Sequence, residues 1–412
     1  RYDVTGKGIK IGIISESFNL LNGMHKDIEL GVLPQMNETV GRGKTFNLQH
    51  DDGEPSDEGR AMAQLVHSIA PDAELYFSSS WPFTAPAQVT PEVLIEQQGI
   101  FADRITELID LGCKVIVDDI YDPAEPWFQD GPVSLAVDNA VKEGVTYFSA
   151  ASNNSNISYQ SEFRGTPYSE LSENSSFLLS LPEDMHKEQF LYHDFDPDAE
   201  KNILQQVSLP ESINSNSPWS PKDYLYVQWD QPWQHNNSAK HNNSANEVWF
   251  FTEENGERVY FGKAIGDPDY PMSLYPLSGM QQGGTQVLEA LPNTFYVAFV
   301  HNTHGYDGGR GQELPTFFKW LVPFNGSQPP VGEDFPQTSF IQHAEHGSST
   351  VWGHNNSKLA ANVGAAQYWS TPAYHSNTLA GESVLSEFSS FGGTPIIFDP
   401  DGQRQDPEYR PQ

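Results

Sequence analysis

The sequence predicts an α/β fold, a parallel sheet with helices on both faces, interrupted by an inserted β-sandwich. Three observations predict it. Over roughly the first 150 residues, short apolar runs alternate with stretches of helical periodicity. Between about Asn154 and residue 335 that periodicity fades, and short strand-like segments separated by Asn, Pro and Gly clusters take over. From about residue 340, small-residue and glycine-containing segments of the first kind return. The boundaries read as 1–155, 156–338 and 339–412, the last continuing the first.

Ile9-Lys10-Ile11-Gly12-Ile13-Ile14 is a compact apolar run ending in Ser15-Glu16-Ser17, as a strand buried in a parallel sheet would. Ala61, Met62, Leu65, Val66 and Ile69 recur at helical spacing, with Ser56 or Asp57 as cap and Pro71 as stop. Ala73 to Ser78 reads as the next strand. Phe101, Ile105, Leu108 and Ile109 stripe a helix that ends at Gly112, a left-handed terminator. Lys114 to Val117 forms a third strand and ends in Asp118-Asp119. Val133, Ala136, Val137, Ala140 and Val141 make a helix closed by Gly144, and Val145 to Ala150 a strand that runs into Ala151-Ser152-Asn153. Right-handed crossovers between such elements give a parallel sheet.

In the middle region Tyr224 to Trp229 alternates like a strand. Val248 to Thr252 and Val259 to Gly262 flank Asn255-Gly256, the mark of a tight hairpin. Phe295 to Val300 and Thr316 to Val322 are further strands, and Trp229, Trp233 and Trp249 suit a sandwich core better than a glycan platform. Leu359 to Ala365 and Ser389-Ser390-Phe391-Gly392-Gly393 return to the α/β unit. The tail from Pro395 is Pro- and Asp-rich, without a helix or cap.

Composition narrows the function. Against 22 Lys+Arg stand 55 Asp+Glu, a net charge of −33, which excludes a general phosphate-neutralising nucleic-acid surface and disfavours anionic membranes. Aromatics at 12% mark a globular chain rather than an acidic disordered one. The single cysteine, Cys113, allows no intrachain disulfide and sits in an apolar run as a core residue. No apolar stretch of about 18 residues is present to span a membrane. Arg1-Tyr2-Asp3-Val4 has no signal-peptide core, which suits a mature form with its leader removed. Sequons occur at Asn37, Asn153, Asn156, Asn174, Asn236, Asn242, Asn325 and Asn355, a number that an Asn-rich chain largely yields by chance; the acidic excess suits a secreted protein.

Ligands of open α/β sheets sit at the carboxyl ends of the strands. Here those ends carry Glu16, Asp118-Asp119 and Asn153. On pattern alone Glu58 is equally a helix N-terminal acid, Glu16 a solvated strand end, and Asp118-Asp119 a calcium ligand or loop pair.

Five segments in order resemble the subtilisin-like serine peptidases, over roughly residues 6–153 and 345–412. Gly6 to Ser17 resembles the first catalytic block, with Glu16 where the family has Asp. Asp57-Glu58-Gly59-Arg60-Ala61-Met62-Ala63 resembles the block with the catalytic His, with Glu58 in its place, and Ile69-Ala70-Pro71-Asp72-Ala73 keeps the register. Val115 to Tyr121 is similar to the segment that binds substrate backbone, which implies Asp118, Ile120 and Tyr121 as substrate-binding residues. Ala150-Ala151-Ser152-Asn153 resembles the oxyanion block, and Phe388-Ser389-Ser390-Phe391-Gly392-Gly393 the stretch before the nucleophile.

The resemblance implies a secreted serine-type endopeptidase acting on polypeptides. Glu58 would be the base, Glu16 its hydrogen-bonded partner, Asp119 a modulator and Asn153 the oxyanion donor. Sedolisins also use a Glu base, but their second acid, four residues on, is matched here by Met62. The family's Gly-Thr-Ser-x-Ala nucleophile block does not occur within these residues, and its expected place lies beyond Gln412, so the resemblance implies a nucleophile on a following segment or on a second chain. A carboxylate base favours acidic to mildly acidic pH unless burial raises it. The competing expectation is an inactive pseudoprotease serving as an extracellular structural or binding protein; a third is a glycan-binding sandwich using Trp233.

No cofactor is required by this chemistry. Structural calcium would suit Asp51, Asp52, Glu54 and Asp57, or Asp194, Asp196 and Asp198, although a solvated acidic face explains both clusters. His301-x-x-His304 and His343-x-x-His346 have metal-like spacing without a third ligand. His354, in Gly353-His354-Asn355, is expected near the cleft by the same resemblance.

Overall fold

The computed structural model describes residues 4–35, 46–82, 91–155, 158–171, 173–196, 201–208, 224–233, 245–266, 270–277, 280–282, 285–288, 290–305, 313–321, 340–341, 348–368 and 385–410. Its first part runs β1 (Lys10–Ser15), α1 (Met24–Glu29), β2 (Phe46–His50), α2 (Glu58–Ile69), β3 (Glu74–Ser79), α3 (Pro91–Asp110), β4 (Val115–Asp118), α4 (Pro132–Lys142) and β5 (Thr146–Ala150). These strands form a parallel sheet in the order β2-β3-β1-β4-β5, and the strand Ala361–Val363 adds beside β5, also parallel. The α/β architecture is therefore present, with the middle region inserted between β5 and that last strand.

Strand period two sorts the side chains. Ile14, Tyr76, Ile116 and Tyr147 join α3 and α4 residues such as Phe101, Leu108, Val133 and Val137 in one buried cluster that includes Cys113. Burial pushes the Cys113 thiol up to about 12. Ile11, Ile13, Leu75 and Phe77 face the other way, against Met24 and Ala63 of α1 and α2.

Among the described residues that second face is only half covered. Across one row, Ile13 is fully buried and Val117 half-buried, while Phe148 is 37% exposed and Ala361 exposed. Thr146 and Val363 on the same face are also exposed, as are Leu65 and Ile69 of α2. Parallel sheets are ordinarily covered on both faces.

Among the described residues the middle region holds two large antiparallel sheets and a two-stranded one, Met280–Gln282 with Thr285–Leu288. One large sheet contains Ser158–Glu162, Tyr224–Trp229, Ile265–Gly266, Met272–Pro276 and Phe317–Leu321; the other includes Gly165–Pro167, Phe190–His193, Asn246–Glu254, Glu257–Lys263 and Thr294–Asn302. Leu225, Val227 and Trp229 meet Val248, Phe250 and Phe299 in the core between them. The alternate residues Tyr224 and Tyr226 turn to Trp127, Phe128 and Trp352 of the α/β part. Trp229, Trp233 and Trp249 are all buried, as core residues. The hairpin turns at Asn255 (φ 52°) and Gly256 (φ 83°), both left-handed, as a two-residue primed turn demands.

Two buried side chains join the units. Gln228 accepts from the Trp127 amide at 3.0 Å and donates to the Glu125 carbonyl at 2.7 Å. Lys319, pushed down to about 7 by burial, donates to Ser349 Oγ at 2.6 Å.

Two elements of the first unit, α1 and the edge strand β2, are not evident from the sequence. FNLQH carries three polar residues in five, and α1 is six residues long. The Pro- and Asp-rich tail also forms a hairpin, Ile396–Phe398 with Arg404–Glu408. Beyond it, Arg410 holds the tail by a bidentate pair with Asp130, both bonds 2.7 Å.

Candidate active site

The site is built where β1, α2, β4 and β5 end or begin at the carboxyl edge of the sheet. Ser17, just past β1, ties down the first turn of α2. Its Oγ accepts from the amides of Ser56 (3.0 Å) and Asp57 (2.8 Å), and its carbonyl accepts from Gly59 N (3.0 Å). These bonds satisfy amides that a helix start leaves without partners. Gly59 permits the approach: a Cβ there would lie 2.1 Å from the Phe77 ring and 2.9 Å from the Ser17 carbonyl. Asp57 is the N-cap residue by position, but its carboxylate accepts from Leu21 N and Arg60 Nη1. The Glu58 amide instead donates to Ser56 Oγ at 3.2 Å.

This tether brings Glu58 over the end of β1, where Glu16 follows. Glu16 Oε2 accepts from Ser15 Oγ at 3.0 Å and Ser56 Oγ at 3.4 Å. Asp119 follows β4, its amide donating to the Ile14 carbonyl at 3.2 Å. The Glu58 carboxyl is in hydrogen-bond reach of both Glu16 and Asp119. Three carboxyls from distant parts of the chain therefore meet at one point. Desolvation, then the charges of Glu16 and Asp119, raise the Glu58 pKa to about 8.

Asn153 lies exposed in the loop after β5, where Ser152 adopts a left-handed φ of 66°. The Phe388–Gly393 segment closes on this loop. Ser390 N donates to the Ser152 carbonyl (3.1 Å), Ser155 N to the Phe388 carbonyl (2.8 Å), and Asn154 N to Ser390 Oγ (2.9 Å). Two of the sequence blocks thus meet directly.

Asp118 and Ile120 are buried, and Tyr121 is half-buried with its ring 6.1 Å from that of Trp352. Asp118 Oδ1 accepts from Ser149 Oγ (2.8 Å) and Ile120 N (3.3 Å) and lies 3.3 Å from His354 Nε2. His354 Nδ1 is 2.5 Å from Glu125 Oε1, and His354 N donates to Glu125 Oε2 at 2.8 Å. Burial lowers the imidazole pKa, but the Glu125 and Asp118 carboxylates outweigh it and raise it to about 10. Asp122, beside them, is raised to about 7 by burial and by Glu125.

Glu125, Asp122 and Asn355 escaped the sequence reading. The available signal was carboxylates within the apolar, Pro- and Trp-bearing run Asp122 to Phe128, where charge is rare without a partner.

The acidic stretch before α2 is used within the protein. Asp51 accepts from the Phe18 and Asn19 amides, and Asp52 from Ser79 and Arg104. Asp194 accepts from the Asn202 and Asp196 amides and pairs with Lys201; Asp198 lies outside the described residues. Buried His301 is 3.0 Å from Asn246 Oδ1, and His304 is exposed; His343 and His346 also lie outside the described residues. Among the described residues, no group of three or more His, Cys, Asp or Glu is placed to hold a metal ion, and no helix is long and apolar enough to cross a membrane.

No family model and no curated protein matches the chain. Among solved structures, it is similar to the prenylagaramide maturation protease PagA, with 12% identity and a TM-score of 0.23 over 36% of this chain and 47% of that one. It is also similar to the PatG macrocyclase in complex with peptide, with 14% identity and a TM-score of 0.21 over 37% and 53%. The chain thus covers about half the length of each.

Proposed function

We propose that this chain carries the acid–base part of a subtilisin-like serine endopeptidase that acts outside the cell. One observation supports the reading above all: Glu16, Glu58 and Asp119 converge at the carboxyl edge of the sheet. Three carboxyls in contact hold a proton among themselves, so their titration belongs to the group. Ionised Glu58 takes the proton from a serine Oγ as that oxygen attacks the scissile carbonyl. The Asn153 side-chain amide donates to the oxyanion, and Glu58 then returns the proton to the leaving amine. Water next attacks the acyl-serine, Glu58 takes its proton, and the serine leaves with that proton as the acid product departs.

A base that titrates near 8 is ionised only above that pH, so the ascending limb of activity runs through about pH 8, well above the acidic range of a free carboxylate. Contacts with the polypeptide substrate at the β4 end fall to exposed Asp119 and half-buried Tyr121, because Asp118 and Ile120 are turned inward. The chemistry uses no cofactor. The nucleophile comes from a further segment or second chain, and the half-bare sheet face over Val117, Phe148 and Ala361 gives it a place to pack.

The test is cleavage of an unfolded polypeptide by the full-length protein, with all co-purifying chains, beside its Glu58→Gln variant. Cleavage lost in the variant supports the reading. An absence of cleavage at every pH from 3 to 9, with no essential serine, leaves the extracellular binding protein in its place.

A further inference from the structure

We propose that the buried pair His354-Asn355 positions both loops of the candidate active site, His354 by holding Asp119 against Glu58 through Asp118, and Asn355 by tying the Asp119 loop to the Asn153 loop. The inference rests on the peptidase reading for its purpose, although its geometry stands apart from it.

The chain of contacts begins at Glu125. Both of its oxygens engage residue 354, one at the imidazole Nδ1 and one at the backbone amide. Gly353 allows this, with a φ of 56° and a hypothetical Cβ only 2.7 Å from the Glu125 carboxyl. The opposite edge of the imidazole, Nε2, reaches Asp118 Oδ1. The same oxygen accepts from the amide of Ile120, two residues on, which closes an Asx-type turn around Asp119. Asp119 is therefore the tip of a turn whose base is pinned by His354 and by Ser149 Oγ. His354 touches no substrate; it is a positioning residue.

Asn355 performs the second task. Its Nδ2 donates to the Ile120 carbonyl (2.9 Å) and the Ala150 carbonyl (2.8 Å), with Ser149 Oγ at 2.9 Å. Ile120 follows β4 next to Asp119, and Ala150 ends β5 three residues before Asn153. One amide thus spans the ends of both strands from below. Side chains 354 and 355 are both buried, and Phe101 packs edge-on to the imidazole at 5.0 Å. The charged and titratable groups facing His354 are Glu125, Asp118 and Asp122, with Tyr147 from β5 close to Asp118.

The sign of one titration separates positioning from charge. Removing the cation acts through space to raise the Glu58 midpoint. Releasing Asp119 from Glu58 lowers it. The experiment is a carbon-13 carboxyl NMR titration of Glu58 in the full-length protein, wild type, Asp119→Asn, His354→Asn and the double variant. The expected result is a midpoint lowered by Asp119→Asn, lowered in the same direction by His354→Asn, and lowered no further by the double. A folded His354→Asn protein whose Glu58 midpoint is unchanged or raised overturns the inference. If that variant does not fold, Ser149→Ala removes a smaller piece of the same support. A lowered midpoint there sustains the inference, and an unchanged one overturns it. Cleavage plays no part in this readout. A failed peptidase reading shows as Glu58→Gln leaving any cleavage intact, whatever the titration gives.

Discussion

Asp118 and Asp119 are neighbours in the chain and opposites in environment. Asp118 is buried, with a cation 3.3 Å away and a hydroxyl donating to it. Asp119 is exposed and lies within hydrogen-bond reach of the Glu58 carboxyl. Asp118, the last residue of β4, turns inward, and the turn that follows it carries Asp119 to the cleft. The buried group, Glu125–His354–Asp118, is arranged so that opposite charges meet. The group at the cleft is arranged so that like charges meet, which raises a pKa and stores basicity. The first has the chemistry of a support and the second that of a site.

The largest expected effect breaks the buried group. Glu125→Ala leaves the imidazolium with one partner in an unsolvated place, and the loss should be about 3–5 kcal/mol, read from denaturant midpoints. Glu16→Gln, the matching change at the cleft, should cost less than about 1 kcal/mol at pH 7, because a glutamine oxygen still accepts from Ser15 and Ser56.

Glu58→Gln reverses the ranking. It should lower kcat/KM of the full-length protein by about 10²–10⁴ and leave the fold intact. Its folded pKa is raised to about 8 above the ordinary carboxyl value of 4.5. The proton it binds stabilises the fold fully below about 4.5, and that contribution is lost as pH rises through about 8. Unfolding measured between pH 4 and 9 should therefore show a fall that the variant flattens. His354, raised to about 10, gives a separate loss. Its stabilisation is complete below about 6.5 and disappears as pH rises through about 10, so Glu58→Gln should leave that alkaline arm unchanged.

The pH–rate profile sharpens the comparison further. Asp119→Asn removes one like charge, so the ascending limb should move to lower pH while the denaturant midpoint changes by less than about 1 kcal/mol. The smallest effect is expected on the open side of α2. Leu65→Ser and Ile69→Ser should change the stability of this chain by no more than about 0.5 kcal/mol. They should weaken retention of a nucleophile-bearing segment, measured by co-purification.

Much of this was legible in the sequence, for physical reasons. Apolar runs such as Ile11 to Ile14 and the Ala61–Ile69 stripe show the buried strand and helix directly, and the polar residues that end them mark the site edge. The meeting of Glu16 and Glu58 was an expectation that needed coordinates, since it depends on how Ser17 ties α2 to β1. Glu125 was invisible because its partner lies more than two hundred residues away and neither side chain shows a periodic pattern. β2 was missed because an edge strand has fewer apolar neighbours to satisfy, and the tail hairpin because Arg410 and Asp130 hold it from outside its own sequence.

The most direct test is to treat the full-length protein with a serine-directed fluorophosphonate at pH 5 to 9 and locate the label by peptide mass. The account predicts one labelled serine on the segment that packs beside Glu58, labelled faster as pH rises through the Glu58 titration, and unlabelled in Glu58→Gln. A protein that labels no serine, or labels equally well without Glu58, would contradict it.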